Sequence, residues 1–208
     1  MKRSMFALLL GIAPVLFVGA QIQVDDLKTV WPAFDYDGKP VPAGGACAKA
    51  FVPESKAKSD DVKAIAKTLT AADGKLQVRL DCKTYRKFPA EEYAVAVTNL
   101  SQTEPTAIVD NFRSLAISVN KPDAVNAVTL NILHGSTCST NDFVPEAIKL
   151  NPGKAHVLTT TCGRSSNDSI PFLELNLDDK NGYVFAVGWT GSWKALFVNA
   201  GKTVTVEI

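Results

Sequence analysis

A mainly β fold is what this 208-residue sequence predicts: an immunoglobulin-like or related two-sheet β-sandwich with a small helix-bearing amino-terminal segment. Three observations carry that expectation. Beyond residue 90, short runs rich in Val, Thr, Leu and Phe recur between turn residues. Asn181-Gly182 lies between two such runs, and this dipeptide accepts the positive φ values of a tight hairpin turn. Strands do not alternate with long amphipathic helices in this part, which argues for a sandwich over parallel βαβ units.

Taken in order, residues 1–20 read as a secretory signal peptide. Lys2 and Arg3 give a basic start, and Phe6, Leu8, Leu9, Leu10, Ile12, Val15, Leu16 and Phe17 form the apolar stretch. Val18-Gly19-Ala20 offers a small-residue cleavage site before Gln21. The run is shorter than the roughly 20 residues that span a bilayer and is interrupted by Pro14, so a permanent membrane anchor is not expected. The expected compartment is therefore extracellular, or the periplasm for a Gram-negative bacterium.

Residues 21–90 form a mixed segment that is expected to pack on the sandwich. Its start is rich in Pro and Gly, with a turn at Asp37-Gly38. A helix is expected over 58–72: Ser59 is a cap, Asp60 and Asp61 lie in the first turn, and Val62, Ile65, Ala66 and Leu69 recur at helical spacing. Leu76, Val78 and Leu80 alternate with polar residues as a half-buried strand. Residues 91–208 are the sandwich proper, with strands expected at 93–99, 106–110, 115–119, 127–133, 147–150, 155–161, 171–177, 183–189, 193–198 and 203–208. Two similar tetrapeptides, Asn151-Pro152-Gly153-Lys154 and Asn199-Ala200-Gly201-Lys202, precede strands and read as one turn chemistry used twice.

Charge and cysteine content narrow the function classes. The formal net charge is +1, and loss of Lys2 and Arg3 with the leader would bring it to −1, so nothing electrostatic points to nucleic acid or an anionic membrane. Cys47, Cys82, Cys138 and Cys162 all lie beyond the leader. An even number in an exported chain favours disulfides, and the sequence-neighbour pairs Cys47–Cys82 and Cys138–Cys162 are expected, each contributing roughly 3–4 kcal/mol. Short metal-ligand spacings are missing, so neither a metal nor a cofactor is expected.

Candidate chemistry is sparse. His134, with Ser136 and Asp142 nearby, or His156 would serve a secreted hydrolase, but no nucleophile-elbow motif accompanies them. The adjacent pairs Asp60-Asp61, Glu91-Glu92 and Asp178-Asp179 do not make facing acid and base, because neighbours on a strand point to opposite faces. Tyr183, Phe185, Val187 and Trp189 share a parity, and Trp193 follows Thr190-Gly191-Ser192. These residues read as two arms of an aromatic hairpin, with Tyr183, Trp189 and Trp193 as candidate binding residues for lipid or sugar and Trp189 the more buried tryptophan. Asn99 and Asn167 stand in glycosylation acceptor patterns in expected loops, relevant to a eukaryotic source.

Thr161-Cys162-Gly163-Arg164, after a strand and an Asn-Pro-Gly-Lys turn, resembles the aegerolysins, small β-sandwich proteins that bind lipid. The resemblance covers those few residues. The signal peptide and the extra amino-terminal segment depart from the aegerolysin pattern. It implies lipid binding. The reading as a whole is a secreted, disulfide-stabilised, non-catalytic binding or interaction protein of effector or surface-recognition type. Its partner is expected to be a protein, lipid or glycan outside the cytoplasm. A lipid- or carbohydrate-binding sandwich and a hydrolase are the alternatives.

Overall fold

The computed structural model of the protein describes residues 8–18, 32–41, 54–55 and 61–208, the first and third of these by backbone alone. The strands are β1 (Leu8–Val18), β2 (Ala33–Tyr36), β3 (Lys39–Val41), β4 (Glu54–Ser55), β5 (Val62–Thr70), β6 (Leu76–Tyr85), β7 (Ala90–Asn99) and β8 (Val109–Arg113). They continue with β9 (Ala116–Asn120), β10 (Val128–Leu133), β11 (Pro145–Leu150), β12 (Ala155–Thr159), β13 (Phe172–Asn176), β14 (Gly182–Ala186), β15 (Lys194–Asn199) and β16 (Thr203–Glu207). Among the described residues there is no helix.

Among the described residues three antiparallel sheets result. A nine-stranded sheet runs β11-β10-β13-β14-β1-β7-β6-β5-β4, a four-stranded sheet β12-β15-β16-β9, and a three-stranded sheet β3-β2-β8. Period-two alternation explains the core. Val78 and Leu80 on β6, Val128 and Leu130 on β10, Leu173 and Leu175 on β13 and Phe185 on β14 are fully buried from the large sheet. Phe197 on β15 and Val204 and Val206 on β16 are fully buried from the four-stranded one. Phe185 and Phe197 meet edge to face across the two sheets, with ring centroids 5.8 Å apart, so the core is that of a sandwich. Each such side chain contributes about 1.5–3 kcal/mol by leaving water.

Several expectations are corrected. The helix expected over 58–72 is strand β5 where it is described. It pairs with β6 from Val62↔Tyr85 to Thr70↔Gln77, around a turn in which Gly74 has φ 73°. Inward-facing Lys67 is the reason the alternation was hidden: Lys67 and Leu69 are both buried, so a charged residue occupies a core position. Asp61, read as a helix-start residue, instead pairs with Lys87 at 2.7 Å. Ser59 and Asp60 lie outside the described residues. The strand expected at 106–110 begins later, as β8.

The aromatic hairpin is also corrected. β14 pairs with β13 and β1, whereas β15 pairs with β12 and β16. Residues 187–193 therefore cross from one sheet to the other instead of turning back within one. The hairpin signalled by Asn181-Gly182 joins β13 to β14, with Asn176 opposite Gly182. Asp178 closes it by accepting hydrogen bonds from the backbone N–H groups of Lys180 and Asn181 at 2.8 and 2.7 Å.

Cys138 and Cys162 do not form the expected disulfide. Both are exposed free thiols, each at a left-handed turn position of a separate loop, with φ 64° and 58°. Cys82 is a buried free thiol, and Cys47 lies outside the described residues. β6 and β7, on either side of the division expected at 90–91, are continuous neighbours in one sheet from Leu76↔Asn99 to Tyr85↔Ala90.

A candidate binding cleft at the crossing between sheets

The crossing segment 187–193 is fixed at both ends by backbone hydrogen bonds. Val187 N–H donates to the Pro171 carbonyl at 2.9 Å, and Thr160 N–H donates to the Trp193 carbonyl at 2.9 Å. Trp193 is spent on structure. It is 7% exposed, its N–H donates to Thr160 Oγ1 at 3.0 Å, and its indole Nε1–H donates to the Ser165 carbonyl at 2.7 Å. Trp189 is only half-buried. The expected order of the two tryptophans is thus reversed, because the chain enters β15 at Trp193 and carries that ring into the core. Gly191 packs under the Trp189 indole so closely that a Cβ there would stand 2.6 Å from Trp189 Nε1.

Beside this crossing lies a cleft of about 550 Å³. Its lining includes Trp189, Ser192 and Trp193 from the crossing, Asp35 of β2, Asn111 and Arg113 of β8, Lys194 of β15 and Glu207 of β16. The polar groups are ordered by each other. Asn111, at φ 49°, donates from Nδ2 to Asp35 Oδ2 at 2.6 Å. Arg113 Nη1 stands 3.5 Å from Glu207 Oε2, and its buried Nε–H has no hydrogen-bond partner among the described residues. Aromatic side chains, carboxylates and a guanidinium share one concave surface, which suits a ligand that is apolar on one side and rich in hydroxyls on its edge.

Other candidate residues are placed elsewhere. Tyr183 is buried in the core and does not line the cleft, so it is not presented to a ligand. His134 Nε2 lies 3.0 Å from Glu146 Oε2 at the end of the β10–β11 pair. Asp142 spends its carboxylate on the N–H groups of Thr137, Cys138 and Ser139, which hold it below the usual carboxylate range. His156 is on β12, opposite Phe197 of β15. Asn99 is exposed, but Asn167 is buried, with its amide bonded to Thr161, Asp168 and Arg164, so the expected accessibility of Asn167 is corrected. Among the described residues no group of three His, Cys, Asp or Glu side chains is arranged to hold a metal, and no helix is long and apolar enough to cross a membrane.

A second polar constellation is structural in character. Lys67, Cys82, Glu91 and Tyr93 are buried on the inner face of β5, β6 and β7. Tyr93 Oη donates to Glu91. Burial pushes the Cys82 thiol up to about 12 and raises the Tyr93 hydroxyl, while burial lowers the Lys67 ammonium. Cys82 continues the inward alternation of Leu76, Val78 and Leu80 on β6, but the sequence alone reads it as half of a disulfide. Nothing in the sequence marked Lys67 as an inward residue, nor Asp35, Asn111, Arg113 and Glu207 as cleft residues, because they converge from strands far apart in the chain.

No family model matches the chain, and no curated protein matches it. Solved structures do. The GH36 alpha-galactosidase AgaA from Geobacillus stearothermophilus matches at 16% identity and a TM-score of 0.54, over 94% of this chain and 26% of that one. The alpha-galactosidase from Lactobacillus brevis matches at 12% identity and a TM-score of 0.54, over 86% and 22%. The galactosidase domain of the alpha-galactosidase-sucrose kinase AgaSK matches at 9% identity and a TM-score of 0.51, over 98% and 24%. The chain spans about a quarter of the length of these structures, and the likeness is one of fold.

Proposed function

We propose that this protein is an exported, non-catalytic binding protein whose cleft beside Trp189 takes a carbohydrate. The observation that carries this reading is the convergence of the half-buried Trp189 ring with the Asp35–Asn111 and Arg113–Glu207 pairs around one cleft. Sugars need an aromatic platform for their C–H face together with donors and acceptors for their hydroxyls, and this cleft has both. The lipid alternative asks for aromatic side chains that project from a tip. Trp193 instead lies inside with its indole N–H bonded to the chain, which favours sugar over lipid. The structural likeness to galactosidases, some of them crystallised with stachyose or raffinose, supports testing galactosides first.

Calorimetric titration of the exported protein with stachyose, raffinose and a panel of other oligosaccharides tests this. The expected result is saturable binding of one sugar class. Trp189→Ala is expected to weaken it at least ~10-fold, about 1.4 kcal/mol, with the melting temperature little changed. Binding to lipid vesicles with none to sugars would favour the lipid alternative. Sugar binding indifferent to Trp189→Ala would remove the cleft from the reading.

A further inference from the structure

The slot between β7 and β14 is a second candidate site, independent of the cleft. β1 fills it, antiparallel to both neighbours: Leu8↔Val97 to Leu16↔Ala90 on β7, and Val15↔Phe185 to Val18↔Gly182 on β14. Yet, on the export proposed above, on which this inference rests, residues 8–18 read as the apolar stretch of a leader whose cleavage before Gln21 would remove them. The segment is also a poor central strand. Its register slips between Leu10 and Ile12, and Pro14, opposite Glu92, has no N–H to give to a ladder. Without β1 the large sheet divides into β11-β10-β13-β14 and β7-β6-β5-β4. The backbone edges of β7 and β14 that paired with β1 are then open, and such edges are templates for an added strand.

We propose that this slot accepts, in trans, an extended apolar strand donated by a partner protein. The walls define its chemistry. Tyr93 and Val95 on β7 and Tyr183 and Phe185 on β14 are buried on one face, and Ala94, Ala96 and Val184 are half-buried on the other. Along Tyr93–Val97 of β7 and Val184–Phe185 of β14 both faces therefore favour uncharged, apolar side chains on the incoming strand, as at Leu8–Val18. The carboxylates nearer the start of β7, Glu91 and Glu92, are already bonded by Tyr93 and by Lys83 and Tyr85. Segments 21–31 and 42–53 of this chain carry charges within their span, Asp25, Asp26 and Lys28 in the first and Lys49 in the second, which makes them poorer occupants. Main-chain hydrogen bonds would supply affinity, and the apolar requirement on both faces would supply selectivity.

The test uses protein expressed from the full-length chain with its own leader and recovered from outside the cytoplasm. The probe is a lysine-flanked peptide of residues 8–18, with a version carrying Leu10→Pro and Val15→Pro as control. The expected result is an exported chain beginning at Gln21 that binds the first peptide one to one and not the second. Amide exchange at Val95 and Val97 is expected to slow at least ~10-fold on binding. Exported protein that retains Met1, β7 amides already protected in a monomer, or β7 amides protected in a dimer would each overturn the proposal. The last would assign the slot to a second copy of the chain.

Discussion

At the scale of single residues, the two tryptophans of the crossing have opposite jobs. Trp193 gives up all its polar groups to the fold and is 7% exposed, so Trp193→Ala is expected to cost roughly 3–5 kcal/mol. Trp189 is half-buried, and Trp189→Ala is expected to cost clearly less. Urea unfolding of the two variants compares them directly, and equal losses would mean that Trp189 too is core. Sequence parity pointed the other way, because it treated 187–193 as part of one sheet. Parity loses meaning where a chain leaves one sheet for another. The thiols form a second contrast. Cys138 and Cys162 are exposed, whereas burial raises Cys82 to about 12. Alkylation of the native protein near pH 8, followed by peptide mapping, is expected to modify Cys138 and Cys162 rapidly and Cys82 only after unfolding. A Cys138–Cys162 cross-link in that map would contradict free thiols at these two positions.

At the scale of elements, most strands beyond residue 90 were legible because their alternation and turn residues coincide. The runs expected at 127–133, 193–198 and 203–208 are β10, β15 and β16 with ends shifted by a residue or two. β5 was not legible, since a buried lysine at an inward position broke its period and left Val62, Ile65, Ala66 and Leu69 to read as a helical stripe. Nine residue pairs with β6, from Val62↔Tyr85 to Thr70↔Gln77, outweigh that local preference. The repeated turn was legible in kind: Gly153 and Gly201 have φ 77° and 93°. What the sequence did not reveal is that the two turns bind each other. Asn199, fully buried, donates from Nδ2 to the carbonyls of Asn126 and Leu150 at 3.1 and 2.9 Å and accepts from Gly201 N–H at 3.0 Å. Asn199→Ala orphans those backbone groups and is expected to cost roughly 1–3 kcal/mol, measured by chemical denaturation. A neutral result would mean that water replaces the side chain.

At the scale of the whole molecule, the sandwich itself was readable from strand spacing. The convergence of β2, β8, β15 and β16 on one cleft was not, because it depends on sheet order, which no local pattern encodes. Contacts within turns and between neighbouring strands, not the cleft, set how the fold answers pH. Asp178 is held below the usual carboxylate range by Asn181, and Asp168 by Thr161. Burial pushes Glu92 up, but hydrogen bonds from Lys83 and Tyr85 outweigh it and leave its carboxyl lowered. A lowered native pKa gives stability that is complete above the unfolded value, about 4, and is lost as pH falls through the native value. Lys83, raised by its hydrogen bond to Glu92, stabilises at lower pH and loses that contribution only as pH rises through its native value, above the ordinary lysine range. The melting temperature is therefore expected to be flat from about pH 5 to 8 and to fall below pH 4, by a modest amount because these carboxylates are partly exposed and screened. Glu92→Gln is expected to lower stability at neutral pH and to make the acid limb shallower, since the lost carboxylate no longer has to be protonated. An acid limb that is unchanged in Glu92→Gln would show that the strap from Lys83 and Tyr85 across β6 and β7 contributes nothing to acid sensitivity, leaving it to the turn carboxylates alone.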